Sequence, residues 1–470
     1  MVMGSLNQET EVVVVGGGPG GYVAAIRAAD LGKEVLLVEE REHLGGVCLL
    51  EGCIPSKTLI HAVEVIHGAA TAKKMGISFA EPGIDLAGLR SWKQGVVDGL
   101  STGVRSLLKQ RGIEVVRGRA RFSGPRSLAL ENSDVAGVDF KHCILATGSR
   151  PVMPFDEGLG LWTSREALEL TEIPARLLVV GGGYIGLELG FVYAGLGSKV
   201  SVVELLPQLL TGADPDLVAI VHRSAKKRFE SVWTDSKVTK IERQGAAYRV
   251  SIEARGETKQ HEFDRVLVAV GRKPNTENLG IEKTAIQLGP KGLIEVTPEC
   301  RTREPQIFAI GDIVPGPALA HKASREGKVA AEIIAGKRSA VDNVSIPAVV
   351  FTEPELAWTG LTEEEAKQKG IPVKVGKFPL AALGRAKTVG SIDGLAKVIA
   401  DPGSGLLLGV GLVGPHASDL IAEAALALEM GATLEDLMST IHPHPTFSEL
   451  LMEAAEVAAG EPVHIFLKKL

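Results

Sequence analysis

One short pattern occurs twice in the sequence, and it restricts the possible folds more than any other feature. The first copy, residues 11–40, has a β-branched run that stops at glycines, a stretch with helical spacing, and a second apolar run that ends at Glu39. Its G-x-G-x-x-G glycines are Gly16, Gly18 and Gly21. A strand, a glycine turn, a helix and a strand that ends in an acid together predict a βαβ dinucleotide-binding unit.

The second copy, residues 177–204, repeats this order and spacing. Its glycines and acid are Gly181, Gly183, Gly186 and Glu204, and 23 residues separate the first glycine from the acid here (181 to 204) as in the first copy (16 to 39). In such units the glycines permit a tight turn, a close approach of pyrophosphate and close helix packing, while the helix N-terminus attracts phosphate. One chain is therefore predicted to bind two dinucleotides.

The residues that follow each unit indicate which dinucleotide it takes. No arginine follows Glu204 to receive a 2′-phosphate, so the second unit is predicted to prefer NAD(H) to NADP(H). The first unit is followed at once by Cys48 and Cys53, and a redox pair in that place favours a flavin.

Three further apolar runs end on glycine, where the backbone must pass near a ligand. These ends contain Thr147, Gly148, Ser149, Gly271 and Asp312. Asp312 is a candidate acceptor for the ribityl or phosphate region of a flavin, and an ordinary turn aspartate is the alternative.

Composition excludes other classes of protein. The chain has 470 residues, 45% hydrophobic and 23% charged, which is ordinary globular usage, and its length predicts several domains. A net charge of −6 without a basic block predicts no nucleic acid and no membrane partner. The N-terminus resembles neither a signal nor a transit peptide, and four cysteines indicate a reducing compartment, so we expect a cytoplasmic protein.

Cys48 and Cys53 are separated by four residues, and no second cysteine pair exists to complete a metal site, so no metal is expected. The glycines around them allow the two sulfurs to meet at a helix start, where the helix field favours thiolates. Lys57, one turn further on, would add positive charge. Two buried structural thiols and a solvated lysine are the alternative interpretation.

The segment HPHPTFSE at residues 442–449 contains a second candidate catalytic group. Its prolines restrict the backbone, and Glu449 can orient His444 and raise its proton affinity, as in a general-base dyad. On the residues alone, a surface turn is the alternative.

Taken together, GGVCLLEGCIPSK, the two dinucleotide units, AIGD, ALAHKA and HPHPTFSE closely resemble the dihydrolipoamide dehydrogenase family of flavin disulfide reductases, over residues 10–458. The most specific motif is C-x-x-x-x-C-I-P-S-K. Val47 and Leu50 stand where that family commonly has Thr and Asn, so flavin affinity or potential can differ.

The resemblance implies an α/β fold with two Rossmann-like dinucleotide-binding domains and an α+β C-terminal dimerisation domain. The implied limits are 1–149 for the FAD domain, 150–275 for the NAD domain, 276–345 for a central domain that completes the FAD site, and 346–470 for the interface domain. It further implies a homodimer in which the base comes from the other subunit. The implied partner is the lipoyl domain of the acyltransferase of a 2-oxo acid dehydrogenase complex.

The family mechanism carried over to this sequence begins with His444, partnered by Glu449, taking a proton from dihydrolipoamide. The substrate thiolate attacks Cys48 of a Cys48–Cys53 disulfide, and electrons then pass to FAD and, as hydride, to NAD+. His442 matches the histidine that is not the base. The implied cofactor-binding residues are Gly16, Gly18, Gly21, Glu39, Lys57, Gly118, Thr147, Gly148, Ser149, Asp312, Ala320, Gly181, Gly183, Gly186, Glu188, Glu204, Val238 and Gly271.

Three other functions compete with this interpretation. A glutathione or trypanothione reductase would use NADPH, which the sequence after Glu204 disfavours. A mercuric reductase would need a cysteine pair near the C-terminus, and no cysteine follows Cys300. A non-catalytic flavoprotein assembly subunit would be expected to lack a cysteine, Lys57 or the His444–Glu449 pair, all of which are present.

Overall fold

The computed structural model describes residues 7–466. The first part of the chain contains β1 (Asn7–Val15), α1 (Pro19–Asp30), β2 (Val35–Glu39), α2 (Gly46–Glu51), α3 (Cys53–Thr71), α4 (Leu86–Gln110), β3 (Glu114–Arg117), β4 (Arg119–Gly124), β5 (Ser127–Glu131) and β6 (Gly137–Leu145). These strands pair in the order β3-β2-β1-β6-β5-β4. The strands β3, β2, β1 and β6 run parallel, and the apolar residues 12–15 of β1 and all of β2 are buried, as in a parallel sheet covered on both faces.

The second part contains β7 (Ser149–Pro151), α5 (Ser164–Glu169), β8 (Arg176–Val180), α6 (Tyr184–Gly195), β9 (Lys199–Val203), α7 (Pro215–Arg228), β10 (Ser231–Trp233), β11 (Ser236–Gln244), β12 (Ala247–Ala254), β13 (Glu257–Phe263), β14 (Arg265–Val268) and β15 (Arg272–Pro274). A parallel sheet has the order β10-β9-β8-β14, and β11, β12 and β13 form a separate antiparallel sheet. β7 pairs with β15, so the chain leaves this unit beside the place where it enters.

The chain then returns to the first sheet through β16 (Ile307–Ala309) and α8 (Ala320–Ile334). β16 pairs in parallel with the end of β6, and all three of its residues are fully buried. α8 packs against α1. This return brings Asp312 to the carboxyl ends of the strands, where the first glycine loop also lies, and parallel sheets bind ligands at that edge.

The C-terminal part contains β17 (Ala348–Val350), β18 (Leu356–Gly360), α9 (Glu363–Lys369), β19 (Lys374–Pro379), α10 (Gly384–Thr388), β20 (Leu395–Ala400), β21 (Leu407–Val413), α11 (Ala417–Glu429), α12 (Leu434–Ser439) and α13 (Glu449–Ala459). Its sheet is antiparallel, in the order β17-β18-β21-β20-β19. The sequence pattern predicts helices at residues 419–430 and 448–457, and these correspond to α11 and α13. It missed α9, α10 and α12, which have 7, 5 and 6 residues and are too short for a clear helical period.

This architecture agrees with the expected fold class: two parallel α/β units followed by an α+β unit. The domain limits remain predictions, and the implied first and last domains extend into residues 1–6 and 467–470, which lie outside the described residues. Within residues 7–466, no helix combines the length and the apolar character needed to cross a membrane.

Candidate active site

The first glycine loop has a backbone that only glycine fits. Gly16 has φ +106°, and a Cβ atom there would lie 2.3 Å from the carbonyl oxygen of Ala146. A Cβ atom on Gly21 would lie 1.8 Å from the carbonyl oxygen of Gly16. Helix α1 starts after Gly18 with no side-chain cap, so its first N–H groups are available to a phosphate. The loop therefore fits the pyrophosphate of a dinucleotide such as FAD.

The second loop repeats this geometry. Gly181 has φ +109°, and a Cβ atom there would lie 2.4 Å from the carbonyl oxygen of Ala269. A Cβ atom on Gly186 would lie 2.1 Å from the carbonyl oxygen of Gly181. Around Gly183, by contrast, no heavy atom of residues 7–466 lies within 4 Å of the Cβ position, apart from atoms of Gly183 and its two chain neighbours, and helix α6 starts there without a side-chain cap. This open cradle fits the pyrophosphate of a second dinucleotide.

The acid that ends each unit accepts hydrogen bonds from the backbone of its glycine loop and from the second residue after the acid. Glu39 accepts hydrogen bonds from the backbone N–H of Gly17 at 2.6 Å and of Arg41 at 3.0 Å. In the second unit, Glu204 accepts the equivalent bonds from Gly182 at 2.6 Å and from Leu206 at 2.8 Å. The acid of such a unit is predicted to accept hydrogen bonds from the adenosine ribose. The structure adds a second role for Glu39, because its buried carboxylate fixes the loop that approaches the phosphates.

Asp312 lies in a hydrogen-bond network that joins three segments. Its Oδ2 atom accepts a hydrogen bond from the Ser149 hydroxyl, which in turn accepts one from Arg272 Nε at 2.8 Å. Thr147 and Asn275 bond to each other twice, at 2.8 and 2.9 Å. Arg272 and Asn275 were missed as site residues, although the glycine at 271 immediately before Arg272 was a usable signal.

Three other predicted cofactor-binding residues lie around these loops. Gly118 joins β3 to β4, and its N–H donates to the carbonyl oxygen of Glu39 at 3.0 Å. Ala320 is the first residue of α8. Val238 lies at a bulge in β11 and is buried.

The two cysteines lie on consecutive helices and are both free thiols in the structure. Cys48 is in α2, and Cys53 is the first residue of α3. A hydrogen bond from the Cys48 thiol lowers the pKa of Cys53 to about 7, and the positive charge of Lys57 contributes in the same direction. That hydrogen bond, together with burial, raises the pKa of Cys48. Cys53 is thus the more acidic thiol of the pair.

Lys57 is fixed by contacts from two distant parts of the chain. Its Nζ atom lies 2.6 Å from Glu188 Oε2 and 4.5 Å from the centre of the Phe351 ring. The Phe351 N–H also donates to Glu188 Oε1 at 3.0 Å. No sequence pattern marks Phe351, because an aromatic residue at the end of an apolar strand resembles an ordinary core residue.

His444 and Glu449 form the expected pair. His444 Nδ1 lies 2.8 Å from Glu449 Oε1, and Glu449 Oε2 accepts the Thr446 N–H at 2.7 Å. The His444 side chain is 77% exposed, whereas that of His442 is only 4% exposed and is held by Glu423. Within residues 7–466, no hydrogen bond or ion pair connects His444 to either cysteine of the same chain.

Comparison with known proteins agrees with this site. Residues 10–327 match the family described as pyridine nucleotide-disulphide oxidoreductase, and residues 346–455 match the dimerisation domain of that family. The chain is 50% identical to dihydrolipoyl dehydrogenase of Geobacillus stearothermophilus over 100% of both chains, and 45% identical to that of Bacillus subtilis over 99% of this chain and 100% of the relative. The crystal structure of LpdA from Mycobacterium tuberculosis has a TM-score of 0.87 at 27% identity and covers 95% of this chain and 99% of its own.

Two dinucleotide loops beside a pair of thiols define a nucleotide-dependent disulfide oxidoreductase, and the chain belongs to the pyridine nucleotide-disulphide oxidoreductase family. Within that family, its full-length similarity is to the dihydrolipoyl dehydrogenases. The predictions of the resemblance, of the fold class, of an enzyme and of FAD and NAD(H) as cofactors are confirmed by this membership. The dimerisation domain supports the predicted homodimer.

Proposed function

We propose that this chain oxidises protein-bound dihydrolipoamide to lipoamide with FAD and NAD+, through a disulfide between Cys48 and Cys53. The observation that carries the proposal is the pair of free thiols on α2 and at the start of α3, in which the hydrogen bond from Cys48 and the charge of Lys57 lower the pKa of Cys53. Such a pair is suited to dithiol–disulfide exchange, in which one sulfur attacks or leaves while the other is held in place.

The proposed FAD site comprises the first glycine loop, Glu39 and Asp312, with Lys57 beside the redox thiols. When bound, the flavin supplies two-electron redox chemistry that links a dithiol to a nicotinamide. The chain itself contributes orientation: the loop fixes the pyrophosphate, and Asp312 offers the carboxylate oxygen that Ser149 does not occupy.

The dithiol step uses residues of this chain in defined roles. His444 Nε2 accepts the proton of one substrate thiol, and the carboxylate of Glu449 stabilises the resulting imidazolium. The substrate thiolate then attacks Cys48 in the disulfide and releases Cys53 as a thiolate. The second substrate sulfur closes the lipoamide ring and returns Cys48 to a thiol, so one disulfide forms as the other is reduced.

The proposed site needs two copies of the chain. His444 is exposed, and within residues 7–466 it forms no hydrogen bond or ion pair with its own cysteines. The interface domain also carries exposed apolar residues such as Leu426, Met430 and Ile441, which are 63%, 76% and 96% exposed. Burial of such a patch between two copies stabilises a symmetric dimer and can bring each His444 to the cysteines of its partner.

The preference for NAD+ rests on the second loop. Glu204 already holds Gly182 and Leu206, and a 2′-phosphate beside this carboxylate would be repelled. We further propose that the enzyme acts in the cytoplasm on the lipoyl domain of the acyltransferase of a 2-oxo acid dehydrogenase complex. Full-length similarity to dihydrolipoyl dehydrogenases supports this partner.

The test is a steady-state assay of dihydrolipoamide oxidation with NAD+ and NADP+ side by side. We expect NADH formation, with a kcat/KM for NADP+ at least roughly tenfold lower, equivalent to about 1.4 kcal/mol. Cys48→Ser should abolish the reaction, while Cys143→Ala, which alters a buried thiol in β6, should retain it. A Cys48→Ser enzyme with the wild-type rate would overturn the proposal.

A further inference from the structure

Helix α8 contains an ion pair that the proposed reaction does not use. Lys322 Nζ lies 2.8 Å from Glu326 Oε1, one turn apart, and the two residues are only 5% and 4% exposed. Burying two charges is costly, and an apolar pair of similar size is often no less stable. Stability alone therefore does not explain why a charged pair is buried at this position of α8.

Both charged groups bind the same residue, Gly311. Glu326 Oε2 accepts the Gly311 N–H at 2.7 Å, and Lys322 Nζ donates to the Gly311 carbonyl oxygen at 3.2 Å. Gly311 has φ +79° and lies just after β16. The ion pair bonds to both of its backbone groups, and the Gly311 carbonyl oxygen also accepts a longer hydrogen bond from the Val314 N–H at 3.3 Å.

The next residue in the chain is Asp312. On its other side Asp312 is held by Ser149, which is itself held by Arg272. Because the Gly311 carbonyl belongs to the peptide that precedes Asp312, a rotation of that peptide would redirect the Asp312 side chain. Helix α8 thus holds the peptide that precedes Asp312, and Ser149 holds the Asp312 carboxylate itself.

We propose that Lys322 and Glu326 are positioning residues that fix the Gly311–Asp312 peptide and thereby direct the Asp312 carboxylate to FAD. The inference rests on the proposed role of Asp312 in holding FAD. It extends the FAD site to two residues that do not touch the cofactor, and it explains why a charged pair occupies a core position of α8.

The test is FAD binding to the purified apoprotein, measured by titration of flavin absorbance and independent of turnover. Lys322→Met alone leaves the buried Glu326 carboxylate without an opposite charge and can fail to fold, so the informative variant is Lys322→Met/Glu326→Gln. This double variant removes both charges and keeps an acceptor for the Gly311 N–H. Lys328→Met, an exposed lysine on the same helix, is the matched control, and thermal unfolding of each apoprotein checks the fold.

We expect the double variant to raise the Kd for FAD roughly tenfold, as for the loss of one good hydrogen bond to a charged group, and Lys328→Met to leave it unchanged. In an Asp312→Asn background the same double variant should change Kd less than roughly twofold, because residues that act through one another are not additive. An equal tenfold effect in both backgrounds would mean a general structural role and would overturn the inference.

Two further outcomes separate the inference from the proposed FAD site. A wild-type Kd in the double variant, together with weak binding by Asp312→Asn, overturns the positioning role alone. A wild-type Kd in Asp312→Asn overturns the FAD role of Asp312 and the inference with it.

Discussion

Removal of the Lys57 charge should raise the pKa of Cys53 and reduce its reactivity at neutral pH. Lys57 follows Cys53 by one helical turn, so the Cβ atoms of the two residues are about 6 Å apart. We use the same distance for the separation of the two charges. A unit charge at that distance with an effective dielectric constant of about 20 to 40 is worth about 1.4–2.8 kcal/mol, or one to two pKa units. The Lys57 side chain is 31% exposed, and solvent screening favours the lower end, about one unit.

The direction follows from the chemistry of the thiol. In the native protein the pKa of Cys53 is lowered to about 7, so the reactive thiolate is present above that pH and is lost as the pH falls through it. In Lys57→Met the Cys53 thiolate should be lost about one pH unit higher. At pH 7 the thiolate fraction then falls roughly fivefold.

The assay is the rate of iodoacetamide alkylation of the reduced enzyme as a function of pH, with the modified residue assigned to Cys53 by peptide mass spectrometry. Lys57→Arg keeps the positive charge, so Cys53 in this variant should titrate near its native pKa. Lys57→Met/Glu188→Gln also removes the buried carboxylate that raises the pKa of Cys53, so its shift should be smaller than that of Lys57→Met. A native midpoint in Lys57→Met would refute the electrostatic role of Lys57.

Three other perturbations test separate parts of the site. His444→Gln should lower the rate of dihydrolipoamide oxidation by about 10²–10⁴-fold. NADH-dependent ferricyanide reduction needs no dithiol base, so its rate should stay near native. Equal losses in both assays would contradict the assignment of His444 as the base. Gly181→Ala should abolish NAD+ binding while FAD is retained, because the added Cβ would lie 2.4 Å from the carbonyl oxygen of Ala269. The control is Gly68→Ala, where the added Cβ would meet open space, and this variant should bind both FAD and NAD+. Ile441→Glu should give monomers in sedimentation experiments, without dihydrolipoamide oxidation; an active monomer would exclude a shared site.

The sequence by itself determined the features that depend on short spacings. The two glycine loops are recognisable because their positive φ values and close backbone contacts admit only glycine at fixed offsets from a strand and a helix. The cysteine pair and the His444–Glu449 pair are local in the same sense, because each lies within six residues of chain. Fold class, cofactors and reaction type followed from these patterns and from the family resemblance.

The tertiary structure alone decided which distant groups act on these motifs. Lys57 and Glu188 are 131 residues apart, and the Ser149–Asp312 bond spans 163. No local pattern marks Phe351 as a site residue, because its contacts with Lys57 and Glu188 arise only where distant parts of the chain pack together. The difference in pKa between Cys48 and Cys53 has the same origin: identical side chains acquire different proton affinities from burial, a mutual hydrogen bond and a neighbouring charge that only the folded chain assembles.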